Sequence, residues 1–114
     1  PYVLEFNARF GDPEAQVILP LLESDLLPLL WSCTDGTLSE HEIKWSGKAA
    51  CCVIACADSY PDGSSQNEEI KIAGDDDQTI VFHAGTKREG QKLLSSGGRV
   101  LGVTALGDNL GQAI

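Results

Sequence analysis

Five residues near the start of the chain have types and spacing that could do chemistry: Glu5, Asn7, Arg9, Gly11 and Asp12, within LEFNARFGDPE. On a strand, Glu5 and Asn7 would share one face, roughly 6.5–7 Å apart. Both offer hard oxygen ligands. Mg²⁺ is commonly held by one or two such protein oxygens, with phosphates and water completing its shell. By pattern alone, the same pair reads more readily as the polar face of a half-exposed strand. Arg9, followed by a flexible Gly11 at a helix start, could hold an anionic group through its guanidinium and backbone N–H groups. A structural Arg–Asp pair with an ordinary Asp12 cap accounts equally well for these residues.

Other chemistry-bearing residues give weaker signals. His83, in VFHAGT, could exchange protons near neutral pH, but a lone His between apolar strand residues is more often structural. No Ser/His/Asp or Cys/His order can be assembled, so nucleophilic catalysis is not supported. Neither GxGxxG nor GxxxxGK[ST] occurs, and the glycines of AGT and GGRVLG read as tight hairpin geometry. Asp75–Asp77 lacks calcium-loop spacing and reads as solvated surface. Three of the four cysteines, Cys51, Cys52 and Cys56, lie in the apolar run AACCVIACA, and the fourth is Cys33. Neighbours on a strand point to opposite faces, so the expectation is small, buried, weakly reactive free thiols in a reducing compartment. A zinc site is a minority reading, because His41 and His83 show no finger or ribbon spacing.

The elements that must position these residues come from a chain of 114 residues with ordinary globular composition, 42% hydrophobic and 22% charged. The net charge of −9 disfavours a phosphate backbone as partner, so nucleic acid is not expected. No apolar run approaches the roughly 20 residues of a membrane span. Tyr2–Phe6 reads as a strand. Asp12 is the expected N-cap of a first helix with Pro13 at its first position and a stripe of Val17, Ile18, Leu21 and Leu22; Pro20 predicts a kink or early stop. A second helix, Leu26–Cys33, is expected behind a Ser24 or Asp25 cap.

The polar stretch Thr34–Gly47 marks a boundary, beyond which the chain turns β-rich. Strands are expected at Ala49–Ala57, Glu69–Ala73, Thr79–Ala84 and Arg99–Leu106, with Gly90–Ser95 pairing to Thr79–Ala84 across a turn at Thr86–Glu89. Tyr60–Gln66 and Gly74–Gln78 are expected turns. Val53, Ile54, Val81, Val100, Leu101 and Val103 are the expected core. DNLGQAI reads as the start of a helix, and both chain ends look cut.

The run PYVLEFNARFGDPEAQVILPLLESDLL resembles the end of the ATP-grasp region of the phosphoribosylamine–glycine ligase (glycinamide ribonucleotide synthetase) family. VFHAGT and GGRVLGVTALGDNL resemble that family's C-terminal domain in the same order, and AACCVIACADSYP sits where the family has a buried strand and a Tyr-Pro turn. The resemblance covers nearly the whole chain. It implies an α+β fold: a strand and two helices from the end of an ATP-grasp domain over residues 1–46, then a mostly antiparallel C-terminal domain over 47–114, incomplete at its end.

The implied activity is ATP-dependent ligation in purine synthesis. Glycine's carboxylate is phosphorylated by ATP, and the amine of 5-phosphoribosylamine attacks the acyl phosphate. In the family the Glu and Asn of LEFN ligate Mg²⁺ or Mn²⁺ at the ATP phosphates, which match Glu5 and Asn7. Arg9 and Asp12 are the implied catalytic pair, placing the substrate phosphate or glycine carboxylate. A cytoplasmic location and fusion to other purine-pathway domains accord with the family. Ser59 stands where the family usually has Gly, and the loop Asp62–Glu68 is longer than usual. The glycine-rich ATP loop and the adenine pocket would precede Pro1, so the 114 residues alone are expected to be inactive. The competing reading is a partial or degenerate non-enzymatic domain that at most binds metal or a protein partner.

Overall fold

The computed structural model describes residues 1–73 and 77–114. The fold is α+β, as expected, with elements in the order α1 (Ala15–Ile18), α2 (Leu26–Asp35), β1 (Ala49–Cys56), β2 (Ser65–Ile70), β3 (Thr79–His83), β4 (Thr86–Glu89), β5 (Lys92–Gly97), β6 (Arg99–Gly107) and α3 (Leu110–Ala113). Short 3₁₀ turns follow α1 at Leu19–Leu21 and α2 at Leu38–Glu40. All strand pairing is antiparallel, in two three-stranded sheets ordered β1-β6-β3 and β2-β5-β4.

The helices follow local chemistry. Pro20 lacks an N–H and cannot continue an α-helix, so α1 stops at Ile18 and tightens into the 3₁₀ turn that contains it. Asp25 caps α2 by accepting a hydrogen bond from Leu27 N at 3.0 Å, and Gly36 ends it in the left-handed conformation at φ 81°. Asn109 caps α3, its side chain accepting from Gln112 N at 3.2 Å. Ser46 N donates to Leu21 O at 2.8 Å, and an isolated bridge joins Leu22 to Trp45, tying the chain before β1 to the end of the 3₁₀ turn that follows α1.

In each sheet the central strand carries the burial. β6 buries Val100, Leu101 and Thr104, and β5 buries Leu94 and Ser95. Facing residues in the first sheet form two sets. Cys52, Thr104 and Ile80 align on one face, and Val53, Val103 and Val81 on the other. α1 covers the first face, where Thr104 Oγ1 donates to Gln16 O at 2.8 Å. A bulge in β2, with Asn67 at φ 63°, is satisfied by Ser95, whose hydroxyl accepts from Glu68 N at 3.1 Å and bonds Ser65 Oγ at 2.7 Å. The β3–β4 connection crosses the β5–β6 junction at contact distance: Gly85 N donates to Arg99 O and Ser96 N to Gly85 O, each at 2.8 Å.

The structure corrects several expectations. Tyr2–Phe6 forms no strand, and Tyr2, Leu4 and Phe6 are 98%, 96% and 89% exposed. A strand needs a neighbour for its N–H and C=O groups, and no strand among the described residues pairs with this run. Asp12 does not cap α1, which starts behind Glu14 with no side-chain cap, because the Asp12 carboxylate is taken by other partners. Thr86–Glu89 is a strand rather than a turn. β5 pairs with it across Gly90, whose φ of 61° makes the turn, while β3 pairs with β6. Val53 is 65% exposed, since it lies on an outer strand on the face away from α1. Cys33 and Cys56 are exposed; all four cysteines are free, and Cys51 and Cys52 are half-buried. The strand expected at Glu69–Ala73 ends at Ile70. The turn expected at Gly74–Gln78 lies mostly outside the described residues.

Candidate functional site

The segment from Glu5 to Gln16 leads into α1, and from Phe10 onward it faces the first sheet. Its first part is an irregular, exposed stretch in which Glu5 and Asn7 stay side by side: Asn7 Nδ2 donates to Glu5 Oε1 at 3.4 Å. The two side chains are thus in contact, although the expected strand is not formed. Arg9 turns back on the chain, Nη1 donating to Phe10 O at 2.9 Å.

Gly11 begins the turn into α1, its carbonyl accepting from Ala15 N at 2.9 Å. A Cβ here would collide with the Glu14 side chain, so a side chain at this position would displace the carboxylate lying over the turn. Asp12 is the most heavily bonded residue of the segment. Arg99 Nη2 donates to its Oδ2 at 3.1 Å, Arg99 Nη1 to its main-chain carbonyl at 3.0 Å, and Gln16 Nε2 to its Oδ1 at 3.0 Å. Both carboxylate oxygens are thus engaged within the chain.

Phe10, Gly11, Asp12, Ala15, Gln16 and Leu19 face Phe82 and His83 across a shallow, mainly apolar cleft. His83 Nδ1 lies 3.1 Å from Thr86 Oγ1, which orients the ring at the cleft edge. The structure brings Glu5 and Asn7 together, and Asp12 and His83 line the same cleft. Arg9 and Asp12 do not pair, because Asp12 bonds Arg99 instead.

Glu5 and Asn7 fit a divalent cation that keeps much of its shell in phosphate and water oxygens. They supply one carboxylate and one neutral amide oxygen from an exposed position. Among the described residues no group of three or more His, Cys, Asp or Glu side chains could hold a metal ion.

Sequence reasoning missed Arg99, Gln16 and Thr104. Arg99 and Thr104 lie 87 and 88 residues from their partners, and no local spacing signals such a contact.

A family model described as the phosphoribosylglycinamide synthetase C domain matches residues 50–114, more than half of the chain. The chain belongs to this synthetase family. It is 45% identical over 113 residues to the phosphoribosylamine–glycine ligase of Caldanaerobacter subterraneus, covering 99% of this chain and 27% of the relative. A bifunctional purine biosynthetic protein of Dictyostelium discoideum is 43% identical over 98% of this chain, which spans 14% of it. The crystal structure of phosphoribosylamine–glycine ligase from Thermotoga maritima is similar with a TM-score of 0.74 and 30% identity, covering 99% of this chain and 28% of that one. The chain thus spans about a quarter of the length of the single-function ligases it matches. No helix among the described residues is long and apolar enough to cross a membrane.

Proposed function

We propose that these residues are part of a phosphoribosylamine–glycine ligase, with residues 1–46 the end of its ATP-grasp domain and 47–114 most of its C domain. The observation that carries the reading is 45% identity to such a ligase across 99% of the chain, with Glu5 and Asn7 in contact. The same similarity weighs against a degenerate non-enzymatic domain. The substrates are ATP, glycine and 5-phosphoribosylamine, the setting is cytoplasmic purine synthesis, and the Dictyostelium relative supports fusion to a second purine-pathway activity.

Glu5 and Asn7 would hold Mg²⁺ or Mn²⁺, which would neutralise charge on the ATP phosphates. Glu5 brings a negative charge to that position, and Asn7 adds an oxygen without further repulsion towards phosphate. Arg9 stands two residues on, where its guanidinium can turn from the Phe10 carbonyl to the substrate's phosphate or carboxylate. Asp12 ends the segment and sets its direction, its carboxylate fixed by Arg99 and Gln16. With both substrates so placed, glycine's carboxylate oxygen attacks the γ-phosphorus, releasing ADP. The phosphoribosylamine nitrogen then attacks the glycyl carbonyl, releasing phosphate. Catalysis of such a reaction is almost entirely positioning together with electrostatic stabilisation.

The test is ATP cleavage by the full-length protein with each substrate omitted in turn. The expected result is ADP formation that requires glycine, and glycinamide ribonucleotide formation that requires both. ATP cleavage indifferent to glycine and phosphoribosylamine would contradict the assignment.

A further inference from the structure

Arg99 opens β6, directly after the Gly98 junction, and reaches across to a segment 87 residues earlier in the chain. Its two terminal nitrogens are both spent on one residue: Nη1 on the Asp12 carbonyl at 3.0 Å and Nη2 on the Asp12 carboxylate at 3.1 Å. The guanidinium is planar and forked, so bonding a main-chain and a side-chain oxygen of one residue fixes that residue's orientation as well as its position. The Asp12 carbonyl precedes Pro13, which has no N–H, and Arg99 supplies its donor.

A second tether lies one helical turn on, where Thr104, fully buried, donates to Gln16 O at 2.8 Å. Gln16 closes the circuit by donating to Asp12 Oδ1. Two side chains of one strand thus hold the start of α1 at two points. The strand itself is anchored where Gly85 N donates to Arg99 O.

The pair is exposed, with side chains 39% and 55% accessible for Arg99 and Asp12. Ion pairs this open to water add little to stability, which argues for a role other than holding the fold together.

We infer that Arg99 is a positioning residue: through Asp12 it fixes the segment carrying Glu5, Asn7 and Arg9 against the C-domain sheet, so that the two parts of the chain present one site. This rests on the ligase reading of that segment.

The test uses the full-length ligase with Arg99→Gln, Arg99→Lys, Asp12→Asn and the Arg99→Gln/Asp12→Asn double variant. A segment displaced by about 1 Å can cost on the order of 10²-fold in turnover, so Arg99→Gln should lower kcat by about 10- to 100-fold. KM for ATP should stay within about 3-fold, since uniform binding is not removed. Arg99→Lys, keeping charge without the fork, should fall between wild type and Arg99→Gln. The double variant should be no worse than about 2-fold beyond the poorer single one, because both changes remove the same link. Amide exchange should rise at residues 15–18 and stay unchanged in β3.

A kcat within about 2-fold of wild type, a rise in KM at constant kcat, or losses that multiply in the double variant would each overturn the inference. Loss of β3 protection in both Arg99→Lys and Asp12→Asn would mean that the link serves the fold, and overturns it as well. If wild-type protein shows no glycine-dependent ATP cleavage, the ligase reading fails by itself. The exchange comparison then decides on Arg99: a rise confined to residues 15–18 supports the tether, and no rise refutes it.

Discussion

Single side chains set the local electrostatics of this protein. Asp35 ends α2, and its Oδ1 accepts from the Thr37 hydroxyl at 2.6 Å and from Thr37 N at 3.1 Å. The Thr37 hydroxyl bond, followed by the backbone bond, holds the Asp35 carboxyl below its ordinary value, because both favour the charged form. The sign follows from linkage: a lowered folded value stabilises the native state above the ordinary aspartate pKa. That contribution disappears as pH falls through the lowered value. Thr37→Val removes the first-named cause and keeps the second, so the Asp35 titration, followed by carbon NMR, should move upward. An unmoved midpoint would mean that the hydroxyl bond is not formed in solution.

Elements here are placed by glycine and proline as much as by apolar pattern. Gly85 sits where the β3–β4 connection crosses the β5–β6 junction. A Cβ there would lie 2.7 Å from both the Arg99 carbonyl oxygen and the Gly97 Cα, backbone atoms that cannot turn aside. Gly85→Ala should therefore destabilise the fold by about 1–3 kcal/mol, the usual cost of forcing extra volume into a closed contact. Urea unfolding of the full-length protein would measure it, and an unchanged midpoint would contradict the close crossing. The helix α2, its Asp25 cap, the stop at Pro20 and the strands β1, β3 and β6 were legible from capping residues, breakers and β-branched runs. The hairpin β4–β5 was not. TKREGQKL carries turn-like polarity on both sides of Gly90, and only the pairing of Leu93 and Leu94 with it reveals the strand. The contact of Glu5 with Asn7 was legible in their two-residue spacing, and the Arg99–Asp12 link was not. A contact across 87 residues is made by topology and leaves no local trace.

At the scale of the whole molecule, the radius of gyration is 17.3 Å, against about 13 Å for a compact domain of this length. Burial is thin outside the central strands, and large apolar side chains lie open along Tyr2–Phe6 and on α2 at Leu27 and Trp31. The 114-residue chain also lacks a glycine-rich nucleotide loop. Purified alone, it should form no glycinamide ribonucleotide from ATP, glycine and phosphoribosylamine, and product above background would refute that. Denaturing mass spectrometry after alkylation should find four thiols, with Cys33 and Cys56 modified before the half-buried Cys51 and Cys52. Two disulfides, or uniform labelling rates, would contradict the structure.

The central claim is that Glu5 and Asn7 hold the divalent cation of an ATP-dependent ligase. Its most direct test is steady-state kinetics of Glu5→Gln in the full-length protein, with Mg²⁺ titrated. The substitution keeps the shape and removes one negative charge from an exposed position, so folding should be unchanged. The account predicts a fall in kcat of about 10²-fold or more, the scale of a lost electrostatic stabiliser, together with a shifted Mg²⁺ dependence. Near-normal kcat with an unchanged Mg²⁺ dependence would contradict it and leave Glu5 an ordinary polar residue of the segment.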